Sequence, residues 1–167
     1  MNTYAQRVIY GFTSPPNVSY LFTTILRKFN SDKVYNYLRD NDDALLRNFE
    51  HKLNNLIPSA YIIGKDTERL PNISAISIPS IKNEIIVMSC DMEGYAISAG
   101  SACSSGRITE SHVLKAMELP SHIIESAFRI SIDNTITSQD LDRFLNTLVN
   151  ICVSLKVKVN DKIEVLI

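Results

Sequence analysis

The sequence predicts an α+β domain, a small sheet with helices packed on it, and three observations carry that expectation. Apolar residues recur at helical spacing toward both ends, from Val34 to Leu56 and again from Leu141 to Cys152. Between them lie short β-branched runs: YIIG (61–64), ISAISIP (73–79), YAIS (95–98) and SAFRISI (126–132). The length, 167 residues, suits one compact unit whose core needs neither disulfides nor metal. Strands interleaved with helices point to an α/β sandwich of layers around that core.

The elements follow in order. Residues 1–15 read as irregular, with Gly11 and the Pro15–Pro16 pair as breakers. A helix is expected from Pro16 through VSYLFTTILRKF, and Ser31 can cap the next by accepting from a first-turn N–H. Val34, Leu38, Leu45, Phe49, Leu53 and Leu56 then line one helix face up to Pro58, with Asn41-Asp42-Asp43 as the point of a kink or break. After the YIIG and ISAISIP strands, NEIIVMSCDMEG (83–94) reads as a buried helix closed by Gly94. YAIS feeds the loop AGSACSSG, and Thr109 caps a short helix over ESHVLKAM. SAFRISI is the next strand. Thr137, with Asp140 three residues on, resembles a capping box that starts the strongest helix, with Leu141, Phe144, Leu145, Leu148, Val149 and Cys152 on one side. KVKVNDKIEVLI, the tail, alternates on both sides of Asn160-Asp161-Lys162 and predicts a hairpin.

Composition narrows the function. The net charge is −1 and the basic residues are scattered, so neither nucleic acid nor an anionic membrane is an expected partner. The start, MNTYAQRVIYGF, lacks the apolar run of a signal peptide, and no stretch of 18 apolar residues is present. The three cysteines, Cys90, Cys103 and Cys152, form no CxxC pair. An odd, scattered set argues against a disulfide framework and against a metal site, and for a reducing cytoplasm.

Cys90 and Cys152 fall on apolar helix faces and read as small buried hydrophobes. Cys103 differs. It sits in ISAGSACSSG (97–106), where eight of ten residues are Gly, Ala or Ser. A thiol reacts only when its thiolate is accessible. A loop with little bulk, next to a helix start and Arg107, offers access and positive potential. On composition alone, the loop reads equally as a plain connection or as a tether for a travelling sulfur.

CDMEGYAISAGSACSSG (90–106), SHVLKAM (111–117) and SAFRIS (126–131), in that order, closely resemble the C-terminal part of the cysteine desulfurases, pyridoxal-phosphate enzymes of the class-V aminotransferase family. The resemblance covers about residues 32–155 and is densest over 90–145. It implies that Cys103 is the nucleophile that takes sulfur from L-cysteine as a persulfide, leaving alanine. It also implies that Arg129 holds the substrate carboxylate, a role suited to a planar guanidinium that can donate two parallel hydrogen bonds. Without the resemblance, Arg129 reads as a strand-end surface ion pair. The sulfur would serve iron–sulfur cluster or thio-cofactor synthesis.

The family carries its cofactor lysine and most cofactor contacts in a large N-terminal domain, with the lysine in a Ser/Gly-His-Lys context before a Gly-rich run. His51-Lys52 here sits inside NFEHKLNNL with no glycines after it, and reads as a helix-face pair. YGFTSPPNV (10–18) stands where the family has Arg-x-Gly-Thr followed by Asn. The resemblance thus implies Thr13 as a ligand of the cofactor phosphate, with Tyr10 in place of the Arg and Phe12 in place of the Gly. Asp133 stands where the family often has Gly.

Residues 1–30 are therefore expected to be an altered N-terminal segment and helix, 31–155 the small domain, and 156–167 an unmatched tail. The chain resembles that small domain standing alone. As a truncated or split desulfurase it would need a large-domain chain as partner to supply pyridoxal phosphate, and the family also forms homodimers. The alternatives are a non-catalytic persulfide carrier or interaction module that meets a sulfur-acceptor scaffold protein, and a degenerate fragment.

Overall fold

The computed structural model describes residues 44–67, 69–99, 111–133 and 135–160. The expected helix from Pro16, the Ser31 cap, the kink at 41–43, the loop holding Cys103 and the second half of the predicted hairpin lie outside these residues. The elements in chain order are α1 (Ala44–Leu56), β1 (Tyr61–Ile63), β2 (Ile73–Ser77), α2 (Asn83–Met92), β3 (Ser98–Ala99), α3 (His112–Ala116), α4 (Ser121–Ile124), β4 (Ala127–Ser131) and α5 (Ser138–Ser154). The strands form one antiparallel sheet in the order β1-β2-β4-β3. This is the expected α+β sandwich.

The pairing register sorts the side chains between two faces, because neighbours directly across an antiparallel ladder point the same way. Ile62, Ile76 and Phe128 are aligned across β1, β2 and β4, and Ile130 follows Phe128 on the same side. This face meets α1, α2 and α5, and its residues join Leu46, Phe49, Leu53, Ile86, Leu141, Phe144, Leu145 and Leu148 in the main core. Phe144 stacks on Phe49 with ring centroids 5.8 Å apart and meets Tyr95 at 5.0 Å. The other face carries Ile63, Ala75 and Ala127, aligned by the same register, under Leu114, Leu119 and Ile123 from the α3–α4 segment.

The helix ends follow local chemistry. Thr137 Oγ1 accepts from the Asp140 N–H, and Asp140 Oδ2 accepts from the Thr137 N–H at 2.9 Å, completing the expected capping box of α5. All six apolar residues expected on that helix face are buried. At the end of α2, Gly94 adopts φ +82°, which lets Tyr95 N–H donate to Cys90 O (2.8 Å) and Gly94 N–H to Asp91 O (2.9 Å). That paired closure needs a left-handed residue, the conformation glycine adopts without strain.

Three expectations need correction, and one element had none. The α2 helix is not buried all round: Ile86 and Cys90 face the core, while Ile85, Met88 and Met92 are exposed. Helix α3 starts at His112 and is capped by Ser111, whose side chain accepts from Leu114 N–H, so Thr109 is not its cap. The brief α4 has no counterpart in the sequence pattern, because one helical turn has no periodicity to read; Pro120 starts it, and Ile123 and Ile124 are buried. The tail does not begin as a strand. Lys156 turns with φ +59°, Val157 and Val159 pack against the core, and Asn160 donates from its N–H to Leu56 O (2.8 Å) and from Nδ2 to Asn55 O (2.7 Å). The end of α1 offers carbonyls with no partner inside the helix, and the returning tail satisfies them.

Glu50 is buried on α1, although its position in the sequence resembles an ordinary solvated one. It accepts from both terminal nitrogens of Arg69 (2.7 Å for the Nη1–Oε1 contact) and from Ser74 Oγ on β2. A carboxylate can be buried when a guanidinium fork and a hydroxyl saturate it. This cluster ties the β1–β2 connection and β2 to α1.

Candidate functional site

Arg129 is the third residue of β4 and is half-buried. Its cross-strand partners are Ala75 on β2 and Ser98 on β3. The register therefore puts Arg129 on the thinly covered face, away from α1, α2 and α5. Residues beside it are small, Ala75 and Ser98 across the ladder and Ala127 and Ser131 along the strand. Small neighbours leave room beside a long cationic side chain, whereas the opposite face is filled by Ile and Phe.

Cys103 and Thr13 lie outside the described residues. Cys103 belongs to the connection that leaves β3 and enters α3, and β3 is the strand bonded to Arg129's strand. The other two thiols are poor nucleophiles. Burial pushes the Cys90 thiol up to about 12, with Cys152 and Glu93 adding to it, and burial lifts Cys152 to about 11. Both are fully buried and stay protonated at neutral pH.

Lys52 is tied down elsewhere. Its Nζ donates to Asp142 Oδ1 at 2.6 Å, joining α1 to α5 on the helix side of the molecule. His51 is exposed and meets Asn55 one turn on. The glycine before Lys65 closes a turn at φ +72°, with Thr67 Oγ1 donating to its carbonyl. Among the described residues, none of these sets makes an anchor for a pyridoxal phosphate. Asp133 makes a local turn of its own. Its Oδ1 accepts from Thr135 N–H (2.8 Å) and Oγ1 (2.6 Å), contacts that a glycine could not make.

Two polar atoms of the thin face have no signal in the sequence. Ser98 Oγ and Ser77 Oγ are buried and have no hydrogen-bond partner among the described residues. The alternation of YAIS separates Ile97 from Ser98, but nothing in it says which strand Ser98 faces.

Among the described residues, no helix is long and apolar enough to cross a membrane. The class-V aminotransferase family profile matches residues 13–144. A cysteine desulfurase from Cereibacter sphaeroides is 37% identical over 92 residues, which are 55% of this chain and 24% of that protein. The cysteine desulfurase NifS of Azotobacter vinelandii is 32% identical over 114 residues, covering 68% of this chain and 28% of that protein. Among solved structures, a NifS-like protein from Rickettsia africae ESF-5 superposes with a TM-score of 0.58 at 27% identity, over 68% of this chain and 28% of that one. The chain thus spans about a quarter of the length of the curated relatives it matches.

Proposed function

The chain belongs to the class-V aminotransferase family, and from that premise we propose that it is the small-domain part of a cysteine desulfurase, acting on L-cysteine together with the large domain of that enzyme. In this reading Arg129 holds the substrate carboxylate and Cys103 accepts the sulfur. The overall exchange balances: L-cysteine and the Cys103 thiol give alanine and a Cys103 persulfide. The family as a whole uses pyridoxal phosphate; the large domain would bring it, and Thr13 would approach its phosphate.

One observation carries the reading, the cross-strand pairing of Arg129 with Ser98. Cys103 comes five residues after Ser98. A fully extended chain covers at most ~3.6 Å per residue, so the thiol is tethered within about 18 Å of the strand beside Arg129. A thiol and a carboxylate-binding cation within one tether length suit a sulfur transfer from an amino acid. Alanine release from L-cysteine is the test. The purified chain alone should release none, and addition of a large-domain chain with its cofactor should start release. Release that survives Cys103→Ser in that mixture would overturn the role of Cys103.

A second reading is favoured by a specific observation, the engagement of Lys52 with Asp142. The chain would then be a persulfide carrier. The Cys103 thiolate would take the sulfane sulfur of a donor persulfide, and the donor thiolate would leave. Mass spectrometry after incubation with a persulfide donor should find one added sulfur on Cys103 and none on the buried Cys90 and Cys152. Addition at Cys90 or Cys152 alone would end that reading.

A further inference from the structure

We propose that Ser98 is a second positioning residue of the Arg129 subsite, its hydroxyl donating to the carboxylate that Arg129 holds; this rests on the reading of Arg129 as the carboxylate-binding residue. The two residues are direct cross-strand partners, so their Cβ atoms share a face at the usual separation of about 4.5–5.5 Å. Ser98 Oγ is buried and has no partner among the described residues. A buried hydroxyl left without a partner costs stability, and alanine would fill the same space without that cost. Alanine already stands beside Arg129 on the other flank, at Ala75, and at Ala127 along β4. Of the two residues directly across from Arg129, then, Ser98 brings a hydroxyl hydrogen that nothing among the described residues receives.

A carboxylate is the acceptor that fits. Its two oxygens offer about four lone-pair positions, and a guanidinium fork uses two of them. A hydroxyl approaching from the adjacent strand can take a third, which fixes the rotation of the carboxylate about the Arg129 fork. Ser77 Oγ is also without a partner among the described residues, but it stands across from Ala127, on the far side of β4 from β3. It lies too far from the Ser98 flank to share one carboxylate.

The experiment titrates the full chain with L-alanine, an amino acid with no sulfur to transfer, and with ethylamine as its carboxylate-free counterpart. Backbone amide chemical shifts report binding, and thermal unfolding is followed in parallel. The wild type is expected to bind L-alanine and not ethylamine. Ser98→Ala is expected to weaken L-alanine binding about tenfold or more, the size of one hydrogen bond to a charged group. Its melting temperature should stay level or rise, because the unpartnered hydroxyl is gone. Ser98→Thr, which keeps the hydroxyl, should restore most of the affinity. A merely structural role would lower the melting temperature and leave affinity alone. Unchanged affinity in Ser98→Ala, with binding lost in Arg129→Gln, overturns the role of Ser98 and leaves that of Arg129 standing. Equal binding of L-alanine by the wild type and Arg129→Gln, or no carboxylate-dependent binding by the wild type, overturns both.

Discussion

The two faces of the sheet are built on opposite terms. The helix-covered face is filled with large apolar side chains: Ile62, Ile76, Phe128 and Ile130 sit under α1, α2 and α5, and Phe144, Phe128 and Ile130 are at most 1% exposed. The charge buried on that side, Glu50, is saturated by Arg69 and Ser74. The opposite face has a smaller apolar cluster around Ile63 and Ile123, and beside it small residues, a half-buried arginine and two hydroxyls without partners among the described residues, under a segment of two short helices. Most of the apolar burial, and with it most of the hydrophobic stabilisation, lies on the first face. On the second, the hydroxyls of Ser77 and Ser98 find no partner among the described residues, and such hydroxyls suit a polar ligand.

The sharpest way to break this contrast is Phe144→Ala. It removes a ring packed between Phe49 and Tyr95 and should cost about 3–5 kcal/mol in urea unfolding. A cost below about 1 kcal/mol would mean that the helix-side core is not where stability resides. Next is Glu50→Ala, which leaves Arg69 facing an apolar gap; a loss of about 3 kcal/mol is expected, as for a buried pair that loses one partner. Thr137→Ala removes the capping box of α5 and should cost about 1 kcal/mol. The smallest stability effect belongs to Arg129→Lys, within about 0.5 kcal/mol if the thin face contributes little. The same change should abolish carboxylate-dependent ligand shifts, because an ammonium cannot form the planar two-bond fork. An Arg129→Lys protein that lost as much stability as Phe144→Ala would erase the distinction between the faces.

A pH titration sharpens the contrast from the thiol side. Cys90 and Cys152 are held protonated by burial up to about 12 and about 11, while in the unfolded chain they ionise near the ordinary 9.0. Above that value the unfolded state binds fewer protons than the folded one, so stability falls with rising pH. It should be flat in this respect below about pH 9 and decline between there and 11–12. Replacing both residues by alanine should flatten the decline, read as urea midpoints across the range.

Much of this protein is legible in its residue order, and the legible parts are local. The Thr137–Asp140 box and the six apolar residues after it specify α5 through contacts at most one or two turns apart. Gly94 marks the end of α2 for the same reason. The ordered motifs around Cys103 and Arg129 point to the family before any strand is paired. Where expectation failed, a distant partner decided. Met88 and Met92 are exposed because α2 turns Ile86 and Cys90, with Val87 at the edge, toward the core. The tail satisfies the end of α1, a partner more than a hundred residues earlier, in place of pairing as a strand.

The sequence by itself therefore determined α1, α2, α5 and the runs that become β1, β2 and β4, the helix ends at Gly94 and Thr137, and which arginine and which thiol belong to the family motifs. Those signals are carried by neighbours along the chain. Only the tertiary structure decided that β4 lies between β2 and β3, that Glu50 is buried with Arg69, and that Ser98 faces Arg129 on the uncrowded side of the sheet. Strand order and register are set by how all the apolar faces are covered at once, and that condition is written in no single stretch of residues.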